Sequence, residues 1–123
     1  MNYFFISSAC LLVIVALIHS ILGEKLIIGP VLKQPLPHIF GNDFLTKRTL
    51  RFAWHLTTVV WLGIACILIY FSRQPVTATE VIVLKIIAAV FILSCLITLM
   101  ASKGRHFAWW AFLAIGILIC FGI

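Results

Sequence analysis

Four long apolar runs, at 3–22, 52–71, 81–101 and 107–123, decide what this chain can fold into. None alternates between polar and apolar residues, so the period of two that marks a half-buried strand is missing. In lipid the backbone must then satisfy its own polar groups along the segment, which a helix does. A helix needs about 20 apolar residues to cross the hydrocarbon core, within a range of about 17–25. The first three runs fit. The last is at the short limit and must stand nearly upright or be met by local thinning of the bilayer. With 64% of its 123 residues hydrophobic and 10% charged, a soluble domain of this size could not cover its apolar surface. The sequence therefore predicts an all-α integral membrane protein. It is a single domain over 1–123, a four-transmembrane-helix bundle with a long, partly interfacial connector between helices 1 and 2.

The connectors differ in kind. In the polar link 72–80, Thr77 and Glu80 have capping-box spacing, which predicts the start of the third helix there. The stretch 102–105 holds Gly104 and reads as a tight turn, making the third and fourth helices an antiparallel hairpin. The connector 23–49 carries Gly29, Pro30, Pro35, Pro37 and Gly41. It also holds Leu26, Ile27, Ile28, Val31, Leu32, Leu36, Ile39 and Phe40, too apolar a set for a solvated loop. An interfacial or re-entrant course is expected, with Asp43 or Thr46 capping a helix that begins ahead of the membrane. The first run has no preceding Lys or Arg, exceeds a usual signal-peptide core and lacks a small-x-small cleavage site, so it is expected to be retained.

Charge gives the orientation. Lys25, Lys33, Lys47, Arg48, Arg51, Lys103 and Arg105 fall on the face with the connector and the 102–105 turn. The opposite face, with the two termini and the 72–80 link, has Arg73 as its one loop cation. The positive-inside rule then makes 23–49 and 102–105 cytoplasmic and both termini periplasmic or extracellular, in a bacterial-type inner (plasma) membrane. Trp54, Trp109 and Trp110 at one boundary and Tyr3 and Tyr70 at the other fit an aromatic belt. The net charge of +6 sits between lipid-soluble segments, which points to anionic headgroups and away from nucleic acid. Cys10, Cys66, Cys95 and Cys120 all lie within the apolar runs without a CxxC pair and are expected to be buried packing residues.

Ionisable residues at membrane depth are costly and mark candidate sites. His19, His55 and His106 come from three different helices at one level near the connector face. Glu24 follows His19. Arg48, Arg51, His55 and Thr58 recur at helical spacing, so they share one stripe. Three chemistries follow. The guanidinium and ammonium groups of Arg48, Arg51, Lys103 and Arg105 suit an anionic ligand, an amphiphile or a lipid headgroup. His19, His55 and His106 could ligate a metal ion or haem, with Glu24, His19 and His55 as candidate catalytic groups of a membrane enzyme or redox protein. Alternatively these groups only anchor a structural or assembly subunit at the interface. Of the three, the anionic ligand or lipid headgroup is the preferred expectation. Lys85, about six residues into the third helix, is expected to snorkel to the opposite interface. The thin bundle is compatible with a homo-oligomer.

Three familiar four-helix membrane classes do not fit. Small multidrug exporters need an acid in the middle of the first helix, and 3–22 has none. Membrane thiol oxidoreductases need paired reactive cysteines. Dihaem bundles place histidines at both faces, whereas His19, His38, His55 and His106 all belong to the connector side.

Overall fold

The computed structural model describes residues 1–38 and 41–123, so Ile39 and Phe40 of the connector lie outside the described residues. The described chain is helical with no strand. It comprises α1 (Tyr3–Gly23), a π-helical turn (Glu24–Ile28), α2 (Gly29–Leu32), α3 (Phe44–Phe71), α4 (Ala78–Ser102) and α5 (Ala108–Gly122). Three helical runs, Tyr3–Leu32, Phe44–Phe71 and Ala78–Ser102, are long and apolar enough to cross a membrane, while Ala108–Gly122 is a shorter apolar helix.

The first helix does not stop at Leu22. It runs through the π turn and α2 as one 30-residue unit, so the first third of the connector is helical. The reason lies at Gly29 and Pro30. A proline inside an α-helix has no N–H to donate and presses its ring on the carbonyl four residues back. Here the helix widens into a π turn just before the proline, and the Gly29 N–H bonds the Glu24 carbonyl. That carbonyl lies 2.9 Å from where a Cβ on residue 29 would stand, which only glycine tolerates.

The chain then returns through Pro35 and Pro37 to α3, whose 28 residues make it about 42 Å long at about 1.5 Å per residue. It therefore begins two turns ahead of Phe52, as the connector's composition implied. Asp43 occupies its N-cap position but makes no side-chain cap bond; the Asn42 Oδ1, one residue earlier, accepts from the Phe44 N–H at 3.0 Å. Asp43 instead pairs with Lys47 at 2.6 Å and accepts from the Leu36 N–H at 3.4 Å. The hydrogen bond from Lys47 holds the Asp43 carboxyl below its ordinary range. Thr46 Oγ1 donates to the Pro37 carbonyl at 2.8 Å. These bonds pin the connector to the first turns of α3.

Thr77 and Glu80 form the expected capping box at the start of α4, with the Glu80 carboxylate 2.6 Å from the Thr77 N–H. Such a cap stabilises a helix by about 1 kcal/mol. The turn into α5 is left-handed at Lys103 (φ 51°) and Gly104 (φ 77°), and the Gly104 N–H closes onto the Leu99 carbonyl at 2.9 Å.

The helices are ordered α3–α1–α5–α4: α1 packs against α3 and α5, and α4 packs against α5. Phe5, Leu12, Leu68, Leu84, Phe91, Ile115 and Ile119 fill the centre. Ser8, Ala9, Leu12 and Ala16 form the buried stripe of α1, where small side chains let helices approach. Ile14, Leu17 and Ile21 on α1, Val59 and Val60 on α3, and Ile86, Leu93 and Ile97 on α4 point outward. Large apolar side chains on the outer face as well as in the core fit helices that are apolar enough to cross a membrane. Of the cysteines only Cys95 is buried; Cys10, Cys66 and Cys120 face outward, contrary to expectation, because the outer face tolerates apolar side chains as well as the core does. Lys85 is exposed on α4.

One end of the bundle is closed by the N-terminal residues. The Asn2 N–H donates to the Ser72 carbonyl at 2.7 Å, and its amide nitrogen donates to the Gly122 carbonyl at 2.7 Å. Both termini and the α3–α4 link therefore meet there, and the connector and α4–α5 turn occupy the other end.

Candidate functional site

The site lies where the end of α1, the π turn and α3 meet. Ser20 and Glu24 are one helical turn apart and face α3, which presents Arg51 and His55 one turn apart in return. The Glu24 carboxylate is shared: Oε1 lies 3.0 Å from the Arg51 Nη2 and Oε2 lies 3.2 Å from the His55 Nε2. The other ring nitrogen of His55, Nδ1, lies 2.8 Å from the Ser20 hydroxyl. An ionised carboxylate only accepts, so Nε2 carries the ring proton and donates to Glu24. Nδ1 is then the acceptor, and Ser20 donates to it.

His19, next along the chain, faces a different partner. Its Nε2 lies 3.2 Å from the Trp54 carbonyl, so it donates there, and the Trp54 indole N–H donates back to the His19 carbonyl at 3.0 Å. The two rings stack with centroids 4.2 Å apart. Gly23 makes room for this, since a Cβ there would stand 2.7 Å from the indole nitrogen. Gly23 also lets α1 and α3 approach closely at the level where the ionisable groups meet.

Two cavities flank the helix pair. An open groove of about 1010 Å³ runs between α2 and α3. Lys33, Lys47, Arg48 and Arg51 line one end; Phe52, Leu56 and Val59 continue it down α3, with His55 between. Arg48 also rests its guanidinium 4.8 Å above the Phe44 ring, which leaves the cation at the wall. A smaller pocket of about 240 Å³ on the other side is lined by His19, Trp54, Trp61 and His106 among apolar side chains.

The sequence-predicted residues are thus divided. Glu24, His55 and Arg51 come together, with Arg48 beside them in the groove. His19 and His106 share the smaller pocket. Among the described residues no three His, Cys, Asp or Glu side chains are gathered as a metal-holding group. His19 and His106 line one pocket and His55 the other. The His19 Nε2 is used by the Trp54 carbonyl, and the His106 Nδ1 accepts the Ala108 N–H at 3.2 Å. Lys103 and Arg105 sit on the α4–α5 turn and do not line the groove. Sequence reasoning missed Ser20, Lys33 and Lys47 as members. Ser20 stands four residues before Glu24, the one signal that could have placed it on that face.

The fold and site define a helical bundle with helices apolar enough to cross a membrane and a basic, open groove beside a Ser–His–Glu–Arg hydrogen-bonded chain. Comparison with known protein families, curated proteins and solved structures returns no match.

Proposed function

We propose that this chain is a polytopic inner-membrane protein that crosses the bilayer four times and holds an anionic lipid by its headgroup. Its connector and 102–105 turn are cytoplasmic and its termini periplasmic or extracellular. The fourth crossing is α5, which at 15 residues needs Phe107 and Ile123 at its ends or a locally thinned bilayer. The seven cations at the connector end of the bundle support this orientation.

The observation that carries the binding reading is the lining of the large groove. Four cations gather at one end, and an apolar track along Phe52, Leu56 and Val59 leads away from them down α3. A phosphate headgroup with an acyl chain has that same division. Arginine suits the phosphate because its planar fork makes two parallel charge-assisted hydrogen bonds. Arg51 and Lys47 are already paired with Glu24 and Asp43, whereas Lys33 and Arg48 have no carboxylate partner among the described residues. Lys33 and Arg48 are therefore the cations free to take the ligand's charge.

A ligand that binds only the folded protein stabilises it by about 2.7 kcal/mol at a hundredfold excess over its Kd. Phosphatidylglycerol added to the protein in neutral detergent is expected to raise Tm, and phosphatidylcholine to leave it nearly unchanged. The Lys33→Ala/Arg48→Ala double variant is expected to lose the difference. An equal rise with both lipids would remove the basis for the reading.

A further inference from the structure

The basic groove accounts for Lys33, Arg48 and the apolar track, but not for Ser20. Three other helical serines spend their hydroxyls on their own helix. Ser8 donates to the Phe4 carbonyl at 2.9 Å, Ser94 to the Val90 carbonyl at 2.8 Å, and Ser102 to the Thr98 carbonyl at 2.7 Å. That back-bonding is the usual habit of a hydroxyl within a helix. Ser20 departs from it and reaches across to His55 Nδ1 at 2.8 Å, while the far nitrogen of the same ring is held by Glu24 at 3.2 Å and Glu24 by Arg51 at 3.0 Å.

We propose that Ser20 is an activated nucleophile, with His55 as its general base and Glu24 as the group that orients the imidazole, for acyl transfer from a membrane-borne carboxylic ester. Hydroxyl, base and orienting carboxylate in hydrogen-bonded series is the arrangement that nucleophilic catalysis by serine requires. The two imidazole nitrogens are exchanged relative to the best-known serine triads, where Nε2 faces the hydroxyl. The chemistry does not depend on that choice. The carboxylate fixes the proton on one nitrogen, and the lone pair of the other faces the hydroxyl.

The steps balance without a redox partner. The Ser20 Oγ forms a bond to the ester carbonyl carbon as its proton passes to Nδ1 of His55. The carbon–oxygen bond to the alcohol then breaks, and that alcohol leaves with the proton from Nδ1. Water repeats the sequence on the acyl-serine: its oxygen bonds the carbonyl carbon, its proton passes through His55 to the departing Ser20 oxygen, and a carboxylic acid is released. During both steps the imidazolium gains stabilisation from Glu24, which Arg51 holds in place. Thr58, one turn deeper on the face of α3 that carries His55, has a buried hydroxyl with no hydrogen-bond partner among the described residues. His55 itself lines the large groove, so an ester lying in that groove reaches the base directly. Delivery of the ester through the groove rests on the lipid-binding reading above; the activation of Ser20 does not.

A reporter-tagged alkyl fluorophosphonate tests the activation alone, because its phosphorus bonds an activated serine oxygen with loss of fluoride. The folded, full-length protein in neutral detergent is expected to form one adduct, mapped by peptide mass spectrometry to Ser20. Ser20→Ala is expected to form none. His55→Gln is expected to slow labelling by on the order of 10²-fold, the usual contribution of a general base, and Glu24→Gln to slow it in the same direction. Ser94→Ala, whose hydroxyl bonds only the Val90 carbonyl of its own helix, is expected to label at the wild-type rate. No adduct on the folded wild type, an adduct on another serine, or undiminished labelling of His55→Gln would overturn the proposal. Adduct mapping on the wild type decides even if a variant fails to fold. The lipid-dependent Tm of the same preparation reports on the groove separately, so either reading can fail while the other stands.

Discussion

Gly23→Ala is expected to lower the stability of the protein by about 2 kcal/mol, although helix propensity alone would raise it. Alanine is a better helix former than glycine by about 1 kcal/mol, so an unconstrained site would gain from the change. Gly23 is constrained. A Cβ there would stand 2.7 Å from the Trp54 indole nitrogen and closer still to its six-membered ring. The indole cannot yield cheaply, because its N–H bonds the His19 carbonyl at 3.0 Å and its ring stacks on His19 at 4.2 Å. Overpacking costs about 1–3 kcal/mol, and the lost hydrogen bond about 1 more, so the steric terms exceed the propensity gain. Unfolding in mixed micelles measures the stability, and tryptophan fluorescence in a background where Trp61, Trp109 and Trp110 are replaced by phenylalanine reports the displaced Trp54 ring. A more stable Gly23→Ala protein with unshifted fluorescence would show that α1 and α3 do not meet at this level.

Phe5→Ala carries a comparable penalty at the opposite end. Phe5 is fully buried, and its ring fills the space that a side chain on Gly122 would need. In a soluble core such a truncation costs about 3–5 kcal/mol, part of it the transfer of the ring out of water. Between helices in lipid that transfer contribution largely vanishes, since lipid is as apolar as the core, and the void remains. At about 24 cal/mol per Å³ of unfilled cavity, the expected loss is about 2 kcal/mol. Phe5→Leu, which keeps most of the volume, is expected to lose less than about 1.5 kcal/mol. A thermal melt of both variants in the same detergent checks the order. Equal stability of Phe5→Ala and wild type would mean that the termini are not docked as Asn2, Ser72 and Gly122 place them.

The helices could be read from the apolar runs because lipid leaves a backbone few alternatives, and the Thr77–Glu80 cap and Gly104 turn because each rests on local chemistry. The first helix is different: its apolar run ends at Leu22, yet the Glu24–Ile28 π turn accommodates Pro30 and carries the helix on to Leu32. The site was legible in depth alone. Rise along a helix put His19, His55 and His106 at one level, but rotation about the axis decides which side chains meet, and that depends on how α1 and α3 pack. Adjacent residues on a helix point about 100° apart, so His19 and Ser20 take different partners: Trp54 for one, His55 for the other. Glu24 and Arg51 were recognisable as unusual charges at this depth, whereas Lys33 joined the groove only because α2 continues as helix and swings it toward α3.

The central claim is that the groove between α2 and α3 holds an anionic lipid. Native mass spectrometry of the protein released from bilayers containing equal phosphatidylglycerol and phosphatidylcholine tests it most directly. One phosphatidylglycerol retained per chain at collision energies that strip phosphatidylcholine, and lost in Lys33→Ala/Arg48→Ala, is the predicted result. Retention of both lipids alike, or of phosphatidylglycerol unaltered in the double variant, would contradict it.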